Sequence, residues 1–91
     1  MPRLLVYQIG AKIRKQMTTR GWTTPDIEDV LSRPARTVRT QDRRYLPDGT
    51  RMDDPGTVYL RQDGHYVVRN ERTGDIVQIS NRRDPFWKSP F

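Results

Sequence analysis

Lys12, Gln16 and Arg20 stand four residues apart in the stretch KIRKQMTTRGW. On a helix this spacing stacks them on one side, a turn apart. Ile9, Ile13 and Met17 make a second stripe, turned from the first by about 100° and suited to a core. Gly21 supplies a C-terminal stop, and Trp22 can fold back on the last turn. A cation, an amide and a cation in a row suit phosphate, but a solvated helix face looks the same. Helix geometry alone favours the solvated face.

The residue types bound the chemistry. An arginine does not give up its proton at ordinary pH, but it clamps phosphate and stabilises developing charge. A lysine moves a proton where neighbouring cations and partial burial depress its pKa. RNA carries its own nucleophile, the 2′-hydroxyl, so its cleavage needs only geometry, proton transfer and charge stabilisation. Arg39, Arg43 and Arg44, from an adjoining strand and loop, can join such a cluster. The same cluster would bind RNA without cutting it.

Other chemistries find less support. His65 is the single histidine and there is no cysteine, so a paired acid–base site or a thiol nucleophile is not available. His65 sits at a strand start beside a turn, where a surface position is expected. Asp53, Asp54 and Asp84 have the right type for magnesium, yet Asp-Asp-Pro is also an ordinary turn, and that reading is preferred. No metal or cofactor is expected.

The charge balance points the same way. Seventeen Lys/Arg face 11 Asp/Glu, for a net charge of +6 and a pI near 10.3. Residues 1–44 hold 10 cations against 4 acids, and residues 45–91 hold 7 against 7. The excess therefore lies in the first half. Arginine outnumbers lysine 14 to 3, which suits planar bidentate phosphate recognition, although GC-rich coding has the same effect. The implied partner is a polyanion: nucleic acid first, an acidic protein second, a membrane surface third. No apolar run approaches the roughly 18 residues of a membrane span, and the N-terminal stretch is too short and polar for a secretory signal. Lack of cysteine fits a cytosolic working environment, and equally a chain that unfolds to cross a membrane.

One domain, residues 1–91, is expected. Leu4-Leu5-Val6-Tyr7 is a short strand or the first turn of the opening helix, with Gly10 weakening one long helix. Lys12–Arg20 is the first helix. Thr23-Thr24-Pro25-Asp26 starts a second, with a threonine cap and Pro at its first position; Ile27, Val30 and Leu31 are its buried face, and Ser32-Arg33-Pro34 ends it. Arg36–Arg44 reads as an exposed strand, followed by a turn at Leu46–Gly49 and a break at Met52–Gly56. Three strands follow, Thr57–Arg61, His65–Arg69 and Asp75–Ser80, joined by hairpin turns at Asp63-Gly64 and Arg72–Gly74. The tail NRRDPFWKSPF lies as a loop over the sheet. Two helices and an antiparallel meander make an α+β domain.

Four blocks of the chain, KIRKQMTTRGWTTPDIEDVL, DDPGTVY, YVVRNERTGDIVQIS and DPFW, resemble in order the ribonuclease domain of the colicin E-five family. The resemblance covers about residues 11–87. It implies a fold of the barnase, EndoU, colicin and RelE kind, with N-terminal helices packed on a twisted antiparallel sheet. It implies a toxin domain that cuts the tRNAs for Tyr, His, Asn and Asp in the anticodon loop, reading a G-U dinucleotide without metal. The implied ends are a 2′,3′-cyclic phosphate and a 5′-hydroxyl. An acidic immunity protein that mimics RNA is the implied inhibitor.

Carried over by position, the family's catalytic lysine falls on Lys12, its glutamine on Gln16 and its essential arginine on Arg20. That agreement moves the polar stripe from surface to site. The positions beside the bound dinucleotide fall on Ile79 and Trp87; for Trp87 a base platform and a lid on the core remain equally open. A second family lysine belongs to the connecting loop, which is shorter here and reads DRRYLPDGTR. Arg44, or else Arg43, stands nearest; either holds phosphate, but neither suits a role in proton transfer. The expected protein is a monomer, acts in the cytoplasm of a target bacterium and arrives as part of a larger secreted toxin. The rival expectations are a non-catalytic RNA-binding module of the same fold and a protein-interaction domain whose basic face meets an acidic partner.

Overall fold

The carboxylate of Asp26 and the hydroxyl of Thr23 cap the second helix reciprocally, and the same carboxylate reaches the chain's far end by pairing with Arg82 at 2.8 Å. Such long-range ties hold a thin core together. The computed structural model describes residues 6–91, so the expectation for Leu4 and Leu5 lies outside the described residues. Two helices, α1 (Ala11–Arg20) and α2 (Thr24–Ser32), precede four strands, β1 (Arg36–Asp42), β2 (Asp54–Leu60), β3 (Tyr66–Asn70) and β4 (Ile76–Ile79). The strands form one antiparallel sheet in the order β1-β2-β3-β4.

The helices cover one face of the sheet. Ile13 and Met17 of α1 and Ile27, Val30 and Leu31 of α2 pack with Trp22 on Tyr59, Val67, Ile76 and Ile79. α1 ends where Gly21 turns left-handed at φ 77°, and a Cβ there would also press on the Arg83 side chain at 3.2 Å; glycine meets both demands. Trp22 does fold back: it is 3% exposed, and its indole N–H donates to the Ser80 carbonyl at 2.7 Å. Val58, Leu60, Tyr66 and Val68 point to the opposite, outer face, with Val38, Val77 and Trp87 against them. There the tail crosses the sheet, Trp87 tilted on Tyr66 and Phe91 edge-on to it, their ring centres 5.7 and 4.9 Å away.

The Met52–Gly56 break is shorter than expected. β2 already begins at Asp54, opposite Asp42, and runs through Pro55. Proline has no N–H to lose from the ladder, while its carbonyl accepts from the Glu71 N–H at 2.8 Å. A β-bulge in β4 is a second departure. Val68 pairs with Gln78 and Arg69 with Ile76, which leaves Val77 as the extra residue.

Candidate active site

The polar stripe of α1 lies beside the end strand of the sheet, whose first residues pair with the backbone of Gln8. α1 packs against β4, the last strand in the order. Lys12 is exposed, Gln16 half-buried one turn on, and Arg20 half-buried in the last turn. Residues at this spacing are roughly 5–6 Å apart from one turn to the next. The Arg20 guanidinium donates to the Ile79 carbonyl at 2.7 Å, which fixes it at the strand edge. The backbone behind it is fixed too: the Arg82 N–H donates to the Arg20 carbonyl at 2.9 Å, and the Arg82 side chain to that of Gly21 at 3.1 Å.

α1 carries four cations and no acid. Among the described residues no carboxylate lies within ion-pair distance of Lys12, Arg14, Lys15 or Arg20. The carboxylates are engaged elsewhere. Asp42, Asp53, Asp54, Asp63, Glu71 and Asp75 pair with Arg43, Arg44, Arg61, Arg69 and Arg72 of the sheet and its loops. The positive charge of α1 is thereby left without ion-pair compensation.

From Arg20 the surface passes onto the outer face of the sheet. Burial raises the Tyr66 hydroxyl above its usual pKa, against the opposing pull of the Arg20 charge and the Gln78 hydrogen bond. Gln78 Nε2 donates to that hydroxyl at 2.9 Å. Beyond Gln78 lie Arg43 and Arg44 at the far side of a shared cavity.

Arg44 is held by Asp42, which accepts from its Nε at 2.8 Å and from Nη2 at 2.8 Å. Burial alone would raise the Asp42 carboxyl, but the hydrogen bonds from Arg44 and Asn70 outweigh it and keep the carboxyl low. Arg44 thus arrives oriented, with its Nη1 outside this pairing. Arg43 lies in the more exposed position and donates to the Gln41 amide oxygen.

The other expected residues are placed less directly. Ile79 is fully buried, so its share in the surface is the carbonyl that holds Arg20. Arg39 alternates with Val38 and so lies on the helix side of β1, away from the outer face. Neither helix makes substantial contact with β1, and Arg39 borders an open concavity with Gln41, Arg43 and Pro55. Trp87 is half-buried and already stacked on His65, with ring centres 4.9 Å apart and an 18° interplanar angle.

His65 differs from expectation. It is half-buried, and its Nδ1 lies 2.9 Å from the Ser80 hydroxyl. Burial lowers its pKa, partly opposed by Asp63. Gln78 and Phe91 border the same outer face, above the buried Tyr66, and no local sequence signal marks them. Alternation within YVVRN and IVQIS could have paired Tyr66 with Gln78, but not without knowing the bulge. Asp54, weighed as a metal ligand, accepts instead from Arg72 and Asn70. Among the described residues no group of three or more His, Cys, Asp or Glu is placed to hold a metal ion.

The profile of the colicin E5 ribonuclease domain matches residues 9–91, a span that includes the whole stripe and the whole sheet. The chain belongs to the colicin E5 ribonuclease domain family. It is similar to Colicin-E5 of Escherichia coli, 42% identical over 83 residues, which cover 88% of this chain and 46% of that protein. It is also similar to the tRNA nuclease CdiA of Burkholderia pseudomallei, 41% identical over 83 residues, covering 87% of this chain and 6% of that protein. The chain therefore spans less than half the length of either curated relative. Among the described residues no helix is long and apolar enough to cross a membrane.

Proposed function

We propose that this domain is a metal-independent endoribonuclease toxin that cuts tRNA in the anticodon loop. The observation that carries the reading is the position of Arg20. Its guanidinium is fixed at the mouth of the outer-face surface, on a helix whose cations have no carboxylate partner. Membership of a ribonuclease-domain family and similarity to a protein named as a tRNA nuclease support the substrate class.

The chemistry follows from the residue types. The 2′-hydroxyl attacks the adjacent phosphate, the 5′-oxygen leaves, and a 2′,3′-cyclic phosphate and a 5′-hydroxyl result. Arg20 donates to the non-bridging oxygens as negative charge grows in the pentavalent state. Lys12 neutralises charge or assists proton transfer two turns away, and Gln16 positions the backbone between them. Arg44 and Arg43 hold a flanking phosphate from the far side of the surface. Arg39 contacts RNA that continues round the β1 edge, while the Ile79 segment and Trp87 border the bound nucleotides.

The tRNAs for Tyr, His, Asn and Asp are the proposed targets, and an acidic immunity protein the proposed inhibitor, in a domain delivered by a larger toxin. The test is incubation with total bacterial tRNA in excess EDTA, followed by mapping of new ends. Cuts in those anticodon loops, ending in cyclic phosphate, are expected. Intact tRNA with folded, tRNA-binding protein would replace this reading by a binding module.

A further inference from the structure

The connection between β1 and β2 is a structure of its own. Every residue from 43 to 51 is exposed, so the segment stands clear of the body. It is nonetheless closed by its own hydrogen bonds. The Met52 N–H donates to the Arg44 carbonyl at 2.8 Å, Tyr45 and Arg51 face each other across an antiparallel bridge, and the Leu46 N–H donates to the Thr50 carbonyl at 2.7 Å. At the tip Asp48 accepts from the Thr50 N–H at 2.8 Å, and Gly49 takes the left-handed conformation at φ 87°. At the usual rise of a strand, this makes a finger roughly 10 Å long from Arg44 to Pro47. Its root is fixed by the pairing of Arg44 with Asp42.

Tyr45 stands out on this finger. It is 73% exposed and belongs to neither core cluster. Its ring is held all the same, because the Arg51 guanidinium lies over it, 5.8 Å from the centre. Among the described residues no second ring or cation stacks on Tyr45, and no carboxylate pairs with Arg51. One flat face of the ring is therefore covered and the other is open.

A held ring with one open face is half of a stack, and a nucleobase supplies the other half. Unpaired bases of an RNA loop stack on tyrosine rings and on guanidinium planes; a carboxylate has no such face to offer. The charges agree. Arg43, Arg44 and Arg51 run from root to tip, while Asp48 serves the turn and Asp53 lies 3.9 Å from Arg43. Arg43 and Arg44 also border the outer-face cavity, so RNA held there has further nucleotides within reach of the finger. We propose that the finger is a second RNA-binding site, in which Tyr45, held by Arg51, stacks on an unpaired base beyond the cleaved dinucleotide. The inference rests on the RNA-cutting reading above. Such a stack touches no hydrogen-bonding edge, so it adds affinity for long substrates and no choice of base.

A 2′-deoxy substitution at the cut removes the nucleophile, so binding is measured without cleavage. Two such probes, an anticodon stem-loop and the isolated dinucleotide, are titrated into the full chain while the Tyr45 ring is followed by NMR. The stem-loop should shift the ring signals and the dinucleotide should not. Tyr45→Ala is expected to weaken the stem-loop by about 5–100-fold and to leave the dinucleotide within about 2-fold of wild type. Tyr45→Phe should bind both as wild type does. Arg51→Gln should weaken the stem-loop alone and reduce the slope of its salt dependence by about 1. Stem-loop affinity that survives Tyr45→Ala, or a loss of equal size on the dinucleotide, would overturn the finger. The expected losses in a protein that leaves the unmodified stem-loop uncut would keep the finger and remove the catalysis; a cut stem-loop with no effect of Tyr45→Ala would do the reverse.

Discussion

The guanidinium of Arg20 and the carbonyl of Ile79 meet at 2.7 Å, so the last residue of the first helix is fastened to the end of the last strand. The bond crosses 59 residues of sequence. It occupies one N–H of a group that has five, and leaves a fork whose plane is set before any phosphate arrives. Arg20→Lys keeps the charge but not the planar fork. It is expected to lower tRNA cleavage by about 10²–10³-fold, with an unchanged circular dichroism spectrum. A variant within a few-fold of wild type would show that charge alone suffices.

Lys12 and Lys15 make an internal control. Both are exposed on α1, three residues apart, and only Lys12 belongs to the stripe with Gln16 and Arg20. Lys12→Ala should cost about 10²-fold or more in cleavage rate. Lys15→Ala should weaken tRNA binding slightly, through net charge, and leave the rate constant near wild type. Equal losses would mean that the helix acts as a diffuse positive surface, and the named roles would fall.

Acid should loosen the end of the sheet near the β3–β4 turn. Hydrogen bonds from Arg72, then Asn70, lower the Asp54 carboxyl to about 2. Its pKa is therefore lower in the folded chain than in the unfolded one, which binds the proton more readily. The stabilisation is fully present above the unfolded value near 3.9 and is lost as pH falls through about 2. Thermal melts from pH 5 to pH 2 should show a falling midpoint, and Asp54→Asn should flatten that fall while lowering the midpoint at pH 5. An unchanged slope would remove Asp54 from the account.

Two buried or capping contacts test what holds α1 and α2 in place. Thr23→Ala removes the hydroxyl cap from the Asp26 N–H and should cost about 1 kcal/mol in urea denaturation. Trp22→Phe retains most of the ring but leaves the buried Ser80 carbonyl without the indole N–H. That should cost about 1–3 kcal/mol and shift Arg82, which lies over the ring at 5.3 Å. If Trp22→Phe is neutral, the ring's packing is its whole contribution.

Elements with local signatures were readable from the sequence. Thr23, Pro25 and Asp26 announce a capped helix start, Gly21 a helix stop, and Gly64 and Gly74 the two hairpins; all lie where those signals put them. The stripe of Lys12, Gln16 and Arg20 was readable for the same reason, since helical spacing is local. What was missed depends on distant partners. Pro55 looks like a breaker until Glu71 arrives to use its carbonyl. His65 looks exposed until Trp87 folds over it from the tail. Gln78 looks like any polar residue of an edge strand until a single inserted residue turns Val77 to its side and its amide meets the Tyr66 hydroxyl.

The strand order β1-β2-β3-β4 has a mechanical meaning. Every strand neighbours the one before it in the chain, with no crossover to untangle. Each strand can therefore close on the one before it, one hairpin at a time, without waiting for a distant segment. The distant segments act as clasps on a sheet so formed: Arg20 reaches Ile79, Trp22 reaches Ser80, and Asp26 reaches Arg82.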